Sequence, residues 1–396
     1  MNNNSTTPDS QNFGQHHYPQ EDSEVTKKFK GLGNRGKIIP VVMGVLGGGV
    51  VLGVVVYFFI IPLSTQREVM NPFAKLLDRE AKEIMENPIT GELPDKKEKS
   101  AWITERPLAV MINNHVDARP QSSLIDADIV YEVVAEGGIT RFLAFFLTTT
   151  PEKIGPVRST REYYLVLVKE TGDAMLMHIG YSPQALVAIQ SWPVRSLARG
   201  GAGFWRDTSL NVATEHTAYV SGPELREKGN ELGWQGIHKT ELWKYKDDNT
   251  KYTSEASATE LSINFWYKGD YSAVFRYDAD NNSYKRFMGY DTNDEPIPHI
   301  DRETQNQIEV KNVIVQFAEE SPVAGDDKSR LEYQLKGSGE GLVFLDGKVV
   351  DLTWTKTGRE DRTKFYDTNG EELEFNRGKF WVCIVPSRNV NQVTYF

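Results

Sequence analysis

From residue 263 onward, apolar and polar positions alternate in short bursts: INFWYK, SAVFRY, SYKRFM, VKNVIVQF, LEYQLK, GLVFL, KVVDLTW, TKFYD, EELEF and KFWVCIV. A period of two puts every second side chain on the same face of a sheet, so each burst predicts a strand. Asp346-Gly347 and Asn369-Gly370 sit between bursts. Both dipeptides suit tight hairpin turns, whose central residues need positive φ. The pattern predicts a mostly antiparallel β domain over residues 260–396.

Upstream the period changes more often. PLAVMIN (Pro107–Asn113) reads as an apolar strand, and Ala127–Val134 and Ile139–Thr148 as the arms of a hairpin turning at Gly137-Gly138. Ser159-Thr160-Arg161-Glu162 fits a capping box at the start of a helix, with Gly172 as its stop. AMLMHI predicts a strand that runs through Gly180 into a second helix, with Ser182 as cap and Pro183 at its first position. Ser221-Gly222-Pro223-Glu224 repeats the capping pattern for a third helix, ended by Gly233. Residues 101–250 therefore read as a mixed α/β domain. The polar stretch Lys244–Thr259 separates it from the β domain, and the fold class is α+β.

The N-terminal part follows different rules. Ile38–Ile61 is 24 residues without a charge, roughly 36 Å of helix against a hydrocarbon core of about 30 Å. Lys27, Lys28, Lys30, Arg35 and Lys37 crowd its N-terminal flank. The positive-inside rule then keeps residues 1–37, a polar tail that reads as disordered, in the cytoplasm and sends everything after Pro62 outside. No small-residue cleavage pattern follows the run, so it reads as an uncleaved, single-pass signal anchor. Gly44/Gly48 and Gly49/Gly53 are GxxxG spacings, which suit either a helix-dimer face or ordinary membrane-helix composition. Residues 62–100 read as a stalk helix beginning at Asn71-Pro72, followed by a charged linker.

Composition narrows the options. The single cysteine, Cys383, cannot form an internal disulfide, and its alternating apolar setting fits a buried strand thiol. The formal net charge is −10; residues 1–61 carry five basic and four acidic side chains, so the exterior holds −11. An acidic exterior argues against nucleic acid as a partner.

Candidate chemistry concentrates at one helix start. In IGPVRSTREYY, Arg158 and Arg161 occupy a helix N-terminus, where the dipole favours anions and natural helices place acids. Arg141 shares a strand face with Ile139, Leu143, Phe145 and Leu147 and needs a partner there. Two readings stand: an anion or carboxylate pocket, or internal ion pairs with Glu132, Glu136 and Glu162. His178 precedes a Gly180 turn and a helix start, a place for an acid/base group or for a satisfied core histidine; His216 is its candidate partner. His115-Val116-Asp117 is a bare HxD spacing, and no metal site or cofactor is expected from it. Nucleophile elbows and phosphate loops are absent, and the glycines at 200–203 and 337–341 read as loops. Trp192, Phe204, Trp205, Trp234 and Trp243 fall in loop-like sequence and offer stacking surfaces for sugar rings or interface packing.

These motifs carry a resemblance. RPLAVMINNHVDARPQSSLIDADIVYEVVAEGGITRF, IGPVRSTREYY, HIGYSPQA, NPITG, GSGEGLVFLDGKVV and RGKFWVCIVP resemble the YerB-like family of Gram-positive envelope proteins, over about Asn87 to Pro386. The resemblance implies two domains of unknown function, often behind a lipoprotein signal; this chain has a spanning run where that signal's cysteine would be. It draws attention to Asn113, Asn114, Arg119, Glu132, Glu136, Arg141, Arg158, Arg161 and His178, and implies no reaction.

The leading reading is a membrane-anchored envelope protein that binds a ligand, a wall fragment or an envelope protein, through Arg141, Arg158, Arg161 and His178, with Asn113, Asn114 and Arg119 beside them. One alternative is a wall-active hydrolase or transferase using Glu132 or Glu136 with His178 as acid and base. Another is a structural module whose polar network is internal.

Overall fold

The structure, a computed structural model, describes residues 86–94, 102, 105–234, 236, 241–248, 252 and 255–396. The tail, the apolar run 38–61 with its GxxxG spacings, and the stalk and linker apart from residues 86–94 lie outside the described residues. Among the described residues no helix is long and apolar enough to cross a membrane.

A ten-stranded sheet organises the fold. Its order runs Lys364–Tyr366, Lys348–Lys356, Gly337–Leu345, Asn312–Ala318, Phe380–Pro386, Ile129–Val134, Thr140–Phe146, Leu108–Asn113, Met175–Met177, Arg195–Ser196. Both sequence segments, 101–250 and 260–396, supply strands to this one sheet. The join is Phe380–Pro386, which pairs in parallel with Asn312–Ala318 on one side and Ile129–Val134 on the other. All seven of its residues are buried. A central parallel strand covered on both faces needs a continuous apolar run, and FWVCIVP supplies one. Cys383 lies within it, and burial pushes its thiol well above the ordinary range. A second, six-stranded sheet comprises Pro296–Pro298, Ser283–Tyr290, Ala273–Asp278, Glu260–Ile263 and Val393–Tyr395, with Glu309–Val310 also paired to Ser283–Tyr290.

Most predicted elements form where the pattern puts them. The 127–148 segment is a hairpin of Ile129–Val134 and Thr140–Phe146. Ser182 caps Pro183–Ser191 by accepting the Ala185 amide at 3.1 Å, and Ser221 caps Gly222–Glu231. At the Asp346-Gly347 turn both residues have positive φ, as a primed hairpin turn requires.

Four local readings need correction. The Ser159 capping box does not form: the Ser159 hydroxyl donates to the Ile179 carbonyl at 2.8 Å, and the N-cap of helix Glu162–Glu170 is Arg161, without a side-chain cap. Glycines 337–341 belong to strand Gly337–Leu345, not to a loop. A Cβ at Gly339 would meet the Trp354 indole at 2.7 Å, and one at Gly341 would strike the Val315 carbonyl, so small size keeps the strands together. INFWYK is not a full strand; Glu260–Ile263 ends before Phe265, whose φ is +55°. Asn369-Gly370 closes only a Tyr366–Glu372 bridge, because Glu374–Asn376 turns away to pair in parallel with Lys244–Lys246.

Candidate functional site

Strand Leu108–Asn113 is buried throughout and delivers Asn113 to the edge of the core, opposite Arg141 in register. The chain then leaves the sheet. Asn113 Oδ1 accepts the His115 amide at 3.0 Å, and His115 begins a 3-10 turn, Val116–Ala118, its Nδ1 accepting the Asp117 amide at 3.2 Å. Asn113 Nδ2 lies 2.8 Å from Nδ1 of His216, the last residue of a second 3-10 turn, Thr214–His216. The rings of His115 and His216 stack at 4.5 Å, 16° from parallel. His216 is thus the partner of Asn113 and His115 and not of His178, a correction to the pairing read from the sequence.

A third segment runs alongside. The Arg158 amide donates to the Met111 carbonyl and the Val157 amide to the Ala218 carbonyl, which draws Arg158 beside the His216 turn. Its half-buried guanidinium finds no hydrogen bond or ion pair among the described residues. Burial pulls its pKa down, while the nearby Glu215 carboxylate works the other way. Across from Ala218 and Tyr219 lie Arg206 and the exposed Trp205, next to the exposed Phe204, whose ring Arg206 covers.

The other two arginines are committed elsewhere. Glu136 takes both: Oε2 accepts Arg141 at 2.8 Å and Oε1 accepts Arg161 at 2.5 Å. Burial would raise this carboxyl, but the Arg161 hydrogen bond and the charges of Arg141 and Arg161 outweigh it and hold it low. Arg141 also reaches the Ser159 carbonyl, and Arg161 the Thr160 carbonyl. Glu136 therefore pairs Arg161 at the helix start together with Arg141. Arg161 also borders a cavity of about 370 Å³ lined by Tyr163, Trp192, Glu320, Arg330 and Arg359. That cavity mixes charges already paired, such as Arg330 with Asp326, and the Trp192 ring lies under Arg359.

Glu132 lies wholly inside the fold, in a closed ring of side chains. Thr140 Oγ1 donates to its Oε1 at 2.8 Å and accepts Asn114 Nδ2 at 2.7 Å. Asn114 Oδ1 accepts Gln121 Nε2 at 3.2 Å, and Gln121 Oε1 accepts His299 Nε2 at 2.8 Å. Arg286 completes the ring, donating to His299 Nδ1 and, at 2.8 Å, to Glu132 Oε2, which also takes the Trp381 indole N–H at 2.9 Å. Gln121 can offer His299 only an oxygen, and Arg286 can only donate, so His299 is the neutral Nε2–H tautomer. Burial, helped by Arg286 and Arg119, pulls its pKa far down, in agreement. The Arg286 guanidinium stands 4.3 Å from the Trp381 ring centroid. Arg119 clamps the same seam by donating to the carbonyls of Asn114 and Asp270, and burial lowers its pKa to about 10.

Comparison with known proteins decides the family. The family pattern described as "Protein of unknown function (DUF3048) N-terminal domain" matches residues 89–235, and its C-terminal counterpart residues 261–382. A Bacillus subtilis (strain 168) protein named "Putative lipoprotein YerB" is 30% identical over 342 residues, covering 85% of this chain and 95% of the relative. The chain belongs to the YerB-like family. The crystal structure of YerB from Bacillus subtilis superimposes with a TM-score of 0.65 at 29% identity, over 78% of this chain and 99% of that one.

In this YerB-like chain His178 is a satisfied core residue. Nδ1 donates to the Gly180 carbonyl at 2.9 Å, and Nε2 accepts the Ser196 hydroxyl at 2.8 Å. Among the described residues its partners are Gly180 and Ser196, and neither Glu132 nor Glu136 bonds to it. Burial pulls its pKa to about 4, against a smaller upward pull from the Gly180 carbonyl. The unfolded chain then takes up a proton below about 6.5 that the folded chain refuses until about pH 4, so stability falls with pH across that window. Urea unfolding should show a loss of about 2–3 kcal/mol from this group between those limits, and His178→Gln should flatten that part of the profile.

Sequence reasoning missed Arg286, His299 and Gln121. They carry no local motif, and the Glu132–Arg286 contact joins residues 154 positions apart.

Proposed function

We propose that this YerB-like chain is an envelope protein held at the membrane by the apolar run 38–61, where its relative is named a lipoprotein, and that its exterior binds a carboxylate-bearing envelope ligand through Arg158. A wall fragment is the ligand class that fits best. The observation behind this reading is the guanidinium of Arg158: half-buried and unpaired among the described residues, while Arg141 and Arg161 share Glu136. A half-buried cation without a direct ion pair bears a desolvation cost that the nearby Glu215 charge offsets only in part and that an anionic ligand would relieve. Phe204 and Trp205 stand exposed on the neighbouring segment, and aromatic faces beside a cation suit a sugar carrying a carboxylate. The acid–base reading loses its pair, since Glu132, Glu136 and His178 all spend their polar atoms on other partners.

Thermal unfolding of the protein against carboxylate-bearing wall fragments tests this. One fragment class should raise the midpoint. Arg158→Ala should weaken that ligand about ten- to a hundredfold, the worth of a charge-assisted hydrogen bond, without lowering the midpoint of the free protein. Arg161→Ala should instead destabilise the free protein by leaving Glu136 half-paired. If no fragment shifts the midpoint, or Arg158→Ala binds as well as the parent, the ligand does not sit on Arg158.

A further inference from the structure

His115, Asp117 and His216 each point one ligand-type atom into the same space, all within 4.8 Å of one another. From this we infer a divalent transition-metal site, with zinc as the reference ion. The residues come from two 3-10 turns that backbone hydrogen bonds close, so the backbone carrying the donors is set before any ion arrives, and the two rings, stacked 16° from parallel, rotate to bring both lone pairs onto one ion. His115 Nδ1 and Asp117 Oδ2 face each other at 3.5 Å. The Nδ1 lone pair now accepts the Asp117 amide, and an ion bound there takes that lone pair in the amide's place and draws in the Asp117 carboxylate. Tetrahedral zinc with bonds of about 2.0–2.2 Å separates adjacent ligand atoms by roughly 3.3–3.5 Å, which that spacing matches. Two imidazoles and one carboxylate select zinc, cobalt or nickel over magnesium or calcium.

The surroundings agree. Asn113 bonds both turns and sets the orientation of His216, the usual work of a residue behind a metal ligand. Its contact is with Nδ1, which leaves Nε2 for the ion. Loading then moves the His216 proton to Nδ1, and the Asn113 amide turns to accept it at the cost of its bond to the His115 amide. Asp117 is exposed and His115 partly so, which leaves the remaining coordination positions open to solvent. Nearby charges are the carboxylates of Asp117 and Glu215 against the guanidinium of Arg158, a net negative setting when the histidines are neutral. A divalent ion reverses that sign, and a ligand carboxylate would then lie between the ion and Arg158. This last step rests on the Arg158 reading; the metal site itself does not.

The experiment uses the full-length chain in detergent, dialysed against zinc without any organic anion, with bound metal measured by elemental analysis. A His16→Ala/His17→Ala background removes the histidine pair of the tail. One equivalent of zinc per chain is expected, weakened at least tenfold in His115→Ala, His216→Ala and the conservative Asp117→Asn. Cobalt in place of zinc should give visible absorption bands that the same variants lose, with far-ultraviolet circular dichroism confirming that each is folded. Absence of stoichiometric uptake, or uptake unchanged in Asp117→Asn and His115→Ala, overturns the site. Binding of wall fragments is measured separately with chelator present, so loss of the metal site and loss of the Arg158 site register independently.

Discussion

Arg286→Met should lower the unfolding free energy by about 3–5 kcal/mol, the cost of leaving a buried ion without its partner. Glu132 and Arg286 both have fully buried side chains, so no water replaces the missing contact. The Thr140 hydroxyl and the Trp381 indole still donate to the stranded carboxylate, but both are neutral donors. His299 would lose the donor that holds its Nδ1, while Gln121 keeps the other nitrogen fixed. The damage therefore spreads along a ring that joins the Leu108–Phe146 segments to the strand Ser283–Tyr290. Denaturant unfolding of Arg286→Met, Glu132→Gln and the double variant measures the coupling. Glu132→Gln removes the charge while its side-chain oxygen still accepts a hydrogen bond, so the double variant should recover a large part of the single-variant loss. Strict additivity of the two losses would mean that the pair is not energetically joined. Glu132, which the sequence offers as an acid catalyst, then stands as the anchor of the seam.

Local chemistry accounts for what the sequence made legible. Ser182-Pro183 names a helix start because cap and proline act within one turn, and Asp346-Gly347 names a hairpin because the backbone there demands positive φ. Apolar FWVCIVP announced a buried strand, though not that it would join two segments of chain into one sheet. The failures have one cause, competition from distant partners. Ser159 could cap its helix, but the Ile179 carbonyl takes its hydroxyl; Gly337–Gly341 looks like a loop until Trp354 and Val315 press against it. At the candidate site the sequence singled out Arg141, Arg158 and Arg161 together but could not divide them. Glu136 lies across a hairpin from Arg141 and decides which guanidinia are paired, and that choice leaves Arg158 without an ion pair among the described residues. His216 acquires meaning only when its turn folds against His115, a stacking that no spacing rule announces.

Lys356→Met should cost a similar 3–5 kcal/mol or so near neutral pH, and its penalty should shrink as the solution is acidified. Glu170 closes helix Glu162–Glu170 at the end where the helix dipole disfavours an acid, and its side chain is fully buried. It accepts the Tyr131 hydroxyl at 2.9 Å, the Lys356 ammonium at 2.7 Å and the Thr363 hydroxyl at 2.7 Å. Burial pushes its pKa up, but Lys356 first and Arg362 second outweigh that and hold it below the ordinary carboxylate value. In the parent protein this carboxylate therefore contributes stability above the ordinary carboxylate pKa, and loses it as the pH falls through the lower folded value. Removing Lys356 takes away the larger of the two charges opposing burial, so the folded-state pKa rises. If it passes the unfolded value of about 4.3, the folded variant takes up a proton before the unfolded chain does, and acid relieves the strain of the unpaired charge. Urea unfolding of parent and variant at neutral pH and at about pH 5 gives the difference directly. A smaller gap at the lower pH follows from an ionised Glu170 held by Lys356. An unchanged gap would mean that packing of the lysine stem, and not its charge, is what the seam requires.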